Sequence, residues 1–371
     1  MKPTSPMFGV FPRPPSPEET PVGSRGFWRF GRVLAAAVIL TNLAAVQLVW
    51  FGLNEGRQRS EELATLSTRE TAQVLDQSLT SVGRTIDVTL RALVDELERS
   101  EREGRLRRDD VLALLARYKG WVPETEALRV LDAQGRPRWP GLTGTSGRAS
   151  EAGQGYFQRL VEDPGLGMVV SRPFHDRGTG KWVLSFARGV RSPDGRLAGA
   201  VMATVPVEFI TEVLASARAG PNGLSMLRYE DMSLISVYPP LPGAHNEVGS
   251  RDIPNDLRPL FGPDASTGGR RTLASEGGER ISSTRQLQGL PFVLVVGVSS
   301  TDYLAEWRDD VFRTVPLLLI FMILTVGSAA LMNRYHQRQR AHAARLKQTL
   351  ADLRNRDQAL GITERIGGLG V

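Results

Sequence analysis

The sequence predicts an α+β protein: two tandem modules with antiparallel sheets, carried on one long N-terminal helix and flanked by two transmembrane helices. Three observations lead there. Two long uncharged apolar runs lie toward the ends of the chain, seven apolar residues at helical spacing follow the first, and the residues between fall into short strands whose plan is repeated.

The first run, Val33 to Asn54, holds 22 residues without a charge. At a helical rise of ~1.5 Å it matches a bilayer core of roughly 30 Å. The second, Thr314 to Asn333, is centred on PLLLIFMILTVGSAALM. Both are framed by charge, which favours membrane spans over buried core helices. Arg25, Arg29 and Arg32 precede the first span, and Arg334, Arg338, Arg340, Arg345 and Lys347 follow the second, whereas the inner flanks mix acids and bases. Lysine and arginine collect on the cytoplasmic side, so both termini are expected inside and residues 55–313 outside. The first run is too long for a cleaved signal peptide and stands behind a Pro-rich tail, residues 1–32, whose composition reads as disordered.

Composition excludes several classes. The chain of 371 residues has no cysteine, so disulfides, thiolate metal sites and thiol nucleophiles are ruled out. Four of the 46 basic residues are lysine, and many of the 46 flank the two runs, so the net charge of +6 does not point to nucleic acid. The histidines at 175, 245, 336 and 342 show no metal-ligand spacing, and no glycine-rich loop opens a helix to cradle phosphate. His336 and His342 read as a solvated helix face. No cofactor and no catalytic constellation are expected, so the chain is not read as an enzyme.

Beyond the first span, Leu75, Leu79, Val82, Ile86, Leu90, Leu93 and Leu97 fall at steps of four and three. They predict an amphipathic helix from about Glu55 to Glu103, packing on the domain body, on a second copy, or on both. LRVLDAQGRPRW then places Asp132 to Gly135 between two extended runs. WVLSFARGVRSPDGRLAGAVMATV places Asp194 and Gly195 between two longer ones. GYFQRLVED and VEFITEVLASAR read as helices, and residues 141–155 as a loop. The second half repeats the plan, since LSMLRYEDMSLISVYP echoes LRVLDAQGRPRWP and RISSTRQLQGLPFVLVVGVS echoes the long hairpin. The expected partition is a tail (1–32), first span (33–54), long helix (55–105), membrane-distal module (106–218), membrane-proximal module (219–313), second span (314–333) and cytoplasmic helix (334–371).

Tyr156-Phe157, Ser171-Arg172-Pro173, Gly180-Lys181-Trp182, Arg188 and Asp194-Gly195-Arg196-Leu197-Ala198-Gly199 occur in an order that resembles the extracellular PAS-like sensors called Cache domains. The likeness is to the tandem form of bacterial chemoreceptors, sensor histidine kinases and diguanylate cyclases, and it covers about residues 55–333. It implies a dimeric receptor of the bacterial inner membrane that senses a small extracytoplasmic ligand and passes a signal through the second span to a cytoplasmic partner.

By the same resemblance Tyr156, Arg172, Lys181, Trp182, Ser185 and Arg188 fall where such sensors bind ligands. Arg172, Lys181 and Arg188 together would favour an anion such as a carboxylate. On a strand Trp182 and Arg188 share one side, and Lys181 and Ser185 the other, so only one set can line a pocket. The Trp182 and Arg188 set is preferred, with Lys181 and Ser185 as the alternative face. The arginine closely followed by Trp-Tyr that marks amino-acid-sensing members is missing, so an amino acid is not the expected ligand. Arg280, Ser283 and Arg285 are weaker candidates in the second module.

After the second span, Leu346, Leu350, Leu353 and Leu360 suggest a short coiled coil, which the glycines of GITERIGGLGV are expected to end as a truncation would. The rival readings are the sensory fragment of a truncated histidine kinase or diguanylate cyclase, and a membrane-anchored module with no ligand. The topology has a direct check. A reporter enzyme active only in the periplasm, fused after Gly220, is expected to be active, and silence there would overturn the orientation.

Overall fold

A computed structural model of the chain describes residues 24–105, 107–139, 154–163, 165–176, 178–241, 246–253, 257–261, 271–275 and 278–367. The chain divides into two units, residues 1–54 with 310–371, and Glu55–Asp309. The loop expected over 141–155 and most of the N-terminal tail lie outside the described residues.

Among the described residues, two helices are long and apolar enough to cross a membrane, in segments of α1 (Ser24–Arg102) and α6 (Ala305–Gly367) that fall in the first unit. Within this unit the Asn42 amide donates to Thr325 Oγ1 at 3.1 Å and to the Val38 carbonyl at 2.8 Å. Facing another helix satisfies a polar side chain that hydrocarbon cannot. Two expectations change here. Residues 24–32, assigned to the disordered tail, are helical. The last helix does not stop at Gly361 but continues to Gly367, because one interior glycine costs only ~1 kcal/mol relative to alanine.

Within the second unit, residues 55–102 of α1 contain no proline, so no backbone N–H is missing from this part of the helix. Leu75, Leu79, Ile86, Leu90, Leu93 and Leu97 are buried and Val82 is partly buried against them. The stripe therefore packs on the domain body, and each such leucine contributes on the order of 1.5–3 kcal/mol. Then follow α2 (Arg108–Lys119), β1 (Ala127–Asp132), α3 (Gly155–Glu162), β2 (Val169–Val170), β3 (Phe174–His175), β4 (Trp182–Arg191), β5 (Leu197–Pro206) and α4 (Val207–Ser216). The second half supplies β6 (Leu224–Tyr229), β7 (Leu234–Tyr238), β8 (Arg271–Ser275), β9 (Gly278–Gln286), β10 (Phe292–Ser299) and α5 (Ser300–Tyr303).

Both sheets are antiparallel and five-stranded. The first has the order β1-β5-β4-β2 with β3 also on β4, and the second β7-β6-β10-β9-β8. Setting β1, β5, β4 and β2 against β6, β10, β9 and β8 superposes the two orders, so the echo in the sequence is a repeat in topology. β3 is left over in the first sheet and β7 in the second. The expected counterpart of β7, Arg136–Trp139, is not a strand, and Pro137 makes only an isolated bridge with Leu131, as suits a residue without an N–H to donate. β8 was not expected from the sequence. The β4–β5 hairpin turns where expected, with Gly195 at φ +81°, a conformation that glycine adopts without strain.

One continuous core joins the two sheets through α1. Leu128, Leu184, Phe186, Val201 and Ala203 from the first, and Leu227, Ile281, Leu294 and Val296 from the second, belong to the same cluster as the α1 stripe. Gly83 allows α1 a close approach, because a Cβ there would lie 2.9 Å from Leu290 Cδ1 in the β9–β10 turn. The opposite sheet faces carry separate clusters. Tyr156, Phe157 and Leu160 of α3 cover Leu131, Ala187, Ala200 and Met202 in the first module, and Leu257 and Leu260 cover Met226, Leu234 and Val295 in the second.

Candidate functional site

In the first sheet, cross-strand register sorts the side chains by face. Ala127, Thr204 and Ser185 form one rung, and Arg129, Met202 and Ala187 the next. Residues directly opposite share a face, and Met202 and Ala187 lie in the cluster beneath α3. Arg129, Ser185 and Thr204 therefore stand on the α3 side, away from α1, and all three are buried.

That face is polar at its centre. Arg129 Nη2 donates to Asp176 Oδ2 at 3.3 Å. Asp176, at the end of β3, also accepts from Gly178 N at 3.3 Å and Thr179 Oγ1 at 3.0 Å. Burial alone would push the Asp176 carboxyl up, but the positive charge of Arg129 and the Gly178 and Thr179 hydrogen bonds outweigh it and hold the group below its ordinary 3.8. Tyr156 OH donates to Met202 Sδ at 3.1 Å. Beside this group Lys181 Nζ pairs with Glu126 Oε1 at 3.2 Å. Among the described residues, Ser185 Oγ and Glu126 Oε2 are the buried side-chain oxygens without a hydrogen-bond partner. A hydroxyl left so in a close-packed interior forgoes stabilisation of ~1–3 kcal/mol.

The six sequence candidates separate. Tyr156 and Ser185 belong to the α3 face, and Lys181 reaches Glu126 at its edge. Arg188 lies on the α1 side, where its Nε donates to Asp87 Oδ1 at 2.7 Å and its Nη2 to Oδ2 at 3.3 Å. Trp182 packs edge-on against His175, with ring centroids 5.8 Å apart. Arg172 points to the second module, where its Nε pairs with Asp231 at 2.8 Å. Arg172, Lys181 and Arg188 thus do not form the cationic triad expected of them, because each has its own carboxylate on a different element.

Two of the three second-module candidates also turn toward α1. Arg285 Nη1 pairs with Asp76 at 3.1 Å, and Ser283 Oγ meets Thr68 Oγ1 at 3.3 Å. Arg280 reaches the Asn222 carbonyl at 3.5 Å. Asp76 and Asp87 are eleven residues apart, close to three helical turns, so one side of α1 holds an arginine from β9 and one from β4.

The residues missed are Arg129 and Asp176. The second sheet also carries a buried arginine on the face away from α1, Arg228 of β6, two residues beyond Met226. The two arginines have different surroundings. Arg228 is fully buried, donating to the carbonyls of Met232 at 2.6 Å, Asp252 at 2.9 Å and Ser250 at 3.4 Å. Arg129 faces a carboxylate and a hydroxyl-bearing rung. A shallow cleft lies elsewhere in the first module, lined by Leu97, Glu101, Val130 and Trp139 among others, and none of the polar residues of the α3 face lines it.

Because the folded value of Asp176 is depressed, its contribution to stability is complete above pH 3.8 and is lost as the pH falls through the lower folded value. Asp176→Asn leaves Arg129 buried without its counter-charge, which is expected to cost roughly 3 kcal/mol or more at pH 7. Thermal melts across pH 2–7 check both effects, with the variant less stable at neutrality and flatter in acid.

No family model matches the sequence, and no curated protein matches it. Solved structures do. The extracellular domain of rpHK1S-Z16, described as a histidine kinase, is 20% identical with a TM-score of 0.54, over 62% of this chain and 92% of that one. The sensory domain of the Campylobacter jejuni chemoreceptor Tlp3, solved with isoleucine bound, is 11% identical with a TM-score of 0.50, over 67% and 96%. The ligand-binding domain of the Pseudomonas fluorescens chemoreceptor CtaA, solved with L-isoleucine, is 14% identical with a TM-score of 0.50, over 68% and 98%. At these identities the likeness is one of fold. Residues 55–309 have the fold of the extracellular sensor domains of histidine kinases and chemoreceptors, in a tandem Cache-like arrangement flanked by two candidate membrane helices.

Proposed function

We propose that the chain is a transmembrane receptor whose first module binds a small carboxylate-bearing molecule on the sheet face beneath α3. The observation that carries this is the buried Ser185 hydroxyl without a partner, on the same face as buried Arg129. An arginine presents a planar fork that fits a carboxylate with two parallel hydrogen bonds, and Ser185 and Thr204 add hydroxyls one rung away. Two proteins of the same fold were solved with isoleucine, itself a carboxylate. The second module suits a transmitting role, since its own buried arginine, Arg228, is enclosed by backbone carbonyls.

In this reading both termini are cytoplasmic and residues 55–313 lie outside the bacterial inner membrane, as the arginine distribution favours. The receptor works as a homodimer. Leu63, Leu66, Val74 and Val88 of α1 are exposed, and Val74 and Val88 stand two heptads apart, as suits a second copy. The signal leaves along α6, where Leu346, Leu350 and Leu353 are exposed at coiled-coil spacing and suit a cytoplasmic partner helix.

The test is a thermal-shift panel on the full chain in lipid nanodiscs, with acetate, lactate, succinate, benzoate and isoleucine. At about a hundred times its dissociation constant, a bound carboxylate adds ~2.7 kcal/mol, or roughly 5–10 °C for a unit of this size. Arg129→Gln is expected to abolish the shift and Arg188→Gln to leave it. A shift that survives Arg129→Gln, or a panel in which no compound acts, would overturn the assignment. A response to isoleucine alone would narrow the ligand to an amino acid.

A further inference from the structure

We infer that the ion cluster around Asp231 communicates the state of the ligand face to the second module, with Arg172 as the coupling residue; this rests on the assignment of that face above. Ser185, whose side chain stands on the face, exchanges backbone hydrogen bonds with its neighbour on the β2–β3 connection. Ser171 N donates to the Ser185 carbonyl at 2.8 Å, and Ser185 N donates to Ser171 Oγ at 2.8 Å. Ser171 Oγ in turn donates to the carbonyl of Arg172 at 2.8 Å. A displacement of β4 at Ser185 is therefore a displacement of Arg172.

Arg172 leaves its own module. Its Nε meets Asp231 Oδ2 at 2.8 Å, in the β6–β7 turn. The same oxygen accepts from Arg251 through Nε at 3.1 Å and Nη2 at 2.5 Å, while Oδ1 accepts from Ser233 N and Oγ at 3.1 and 2.7 Å. Arg251 belongs to the segment whose Ser250 and Asp252 carbonyls hold Arg228, and whose Gly249 lies against the Trp182 ring. One carboxylate oxygen thus joins the first module, the β6–β7 turn and the 246–253 segment.

Two features make this a coupling contact and not simple adhesion. The Arg172 and Arg251 side chains are 61% and 58% exposed, so each pair with Asp231 is weak and readily exchanged. The permanent joint is alongside, where the buried Tyr229 OH donates to the Val170 carbonyl at 2.8 Å. The Tyr229–Val170 contact can thus stay in place while the grip on Asp231 changes.

The experiment is amide hydrogen exchange on residues 230–234 of the full chain in nanodiscs, with substitutions standing in for a ligand. Ser185→Thr perturbs the face, and Ser171→Ala, which removes one hydroxyl without adding bulk, is the second perturbation should the first fail to fold. Either is expected to change exchange in the turn about two- to fivefold, the range of an exposed ion pair, and the change is expected to vanish in an Arg172→Gln background whose melting temperature stays near that of the parent. An equal change with and without Arg172, or no change in either, would overturn the inference. No compound is needed, so a failed ligand panel and a failed coupling test are separate results.

Discussion

Apolar packing along one side of α1 is the constraint on which the rest of the outer unit depends. Leu75, Leu79, Ile86, Leu90, Leu93 and Leu97 sit at steps that keep them on one stripe, and that stripe is a common wall for two sheets. Once a sheet lays Leu184 and Phe186, or Leu294 and Val296, against the wall, strand alternation sends the neighbouring residues to the other side. What those residues do is no longer dictated by the helix. In the first module they include buried Arg129, Ser185 and Thr204; in the second, leucine, methionine and valine share that face with Ser282, Thr284 and the enclosed Arg228.

Charge refines this arrangement. Asp76 and Asp87 take one arginine from each sheet, so the repeat is expressed in electrostatics as well as in strand order. Such pairs near the surface contribute modestly to stability. Their stronger effect is on register, because shifting β4 or β9 by one residue would move its arginine to the opposite face and leave an acid on α1 unmatched. The same reasoning explains why Arg188 resembles a ligand contact in sequence and serves as a helix contact in structure.

Much of the fold was legible in the sequence. The 3-4 spacing of the α1 leucines, the two apolar runs, the hairpin at Asp194-Gly195 and the internal echo all rest on local periodicity, which survives folding. The site was less legible because it depends on which face each strand turns inward. The even spacing of Trp182 and Arg188 showed that they share a side but not which side, and Asp87, which decides the matter, lies a hundred residues earlier. Asp176 was hidden in a short turn, and Arg129 in a strand whose inward and outward positions are nearly all buried, so alternation left no mark. The failed strand at Arg136–Trp139 has a simpler cause in Pro137.

If one helix is the shared wall of both sheets, the outer unit should not come apart module by module. Native-state hydrogen exchange on the full chain tests this most directly. The account predicts that amides of α1 between residues 75 and 97, of β4 and β5, and of β9 and β10 all exchange through a single opening, with the same free energy and the same dependence on denaturant. Two distinct openings, one exposing β4 and β5 while β9 and β10 stay protected, would contradict it.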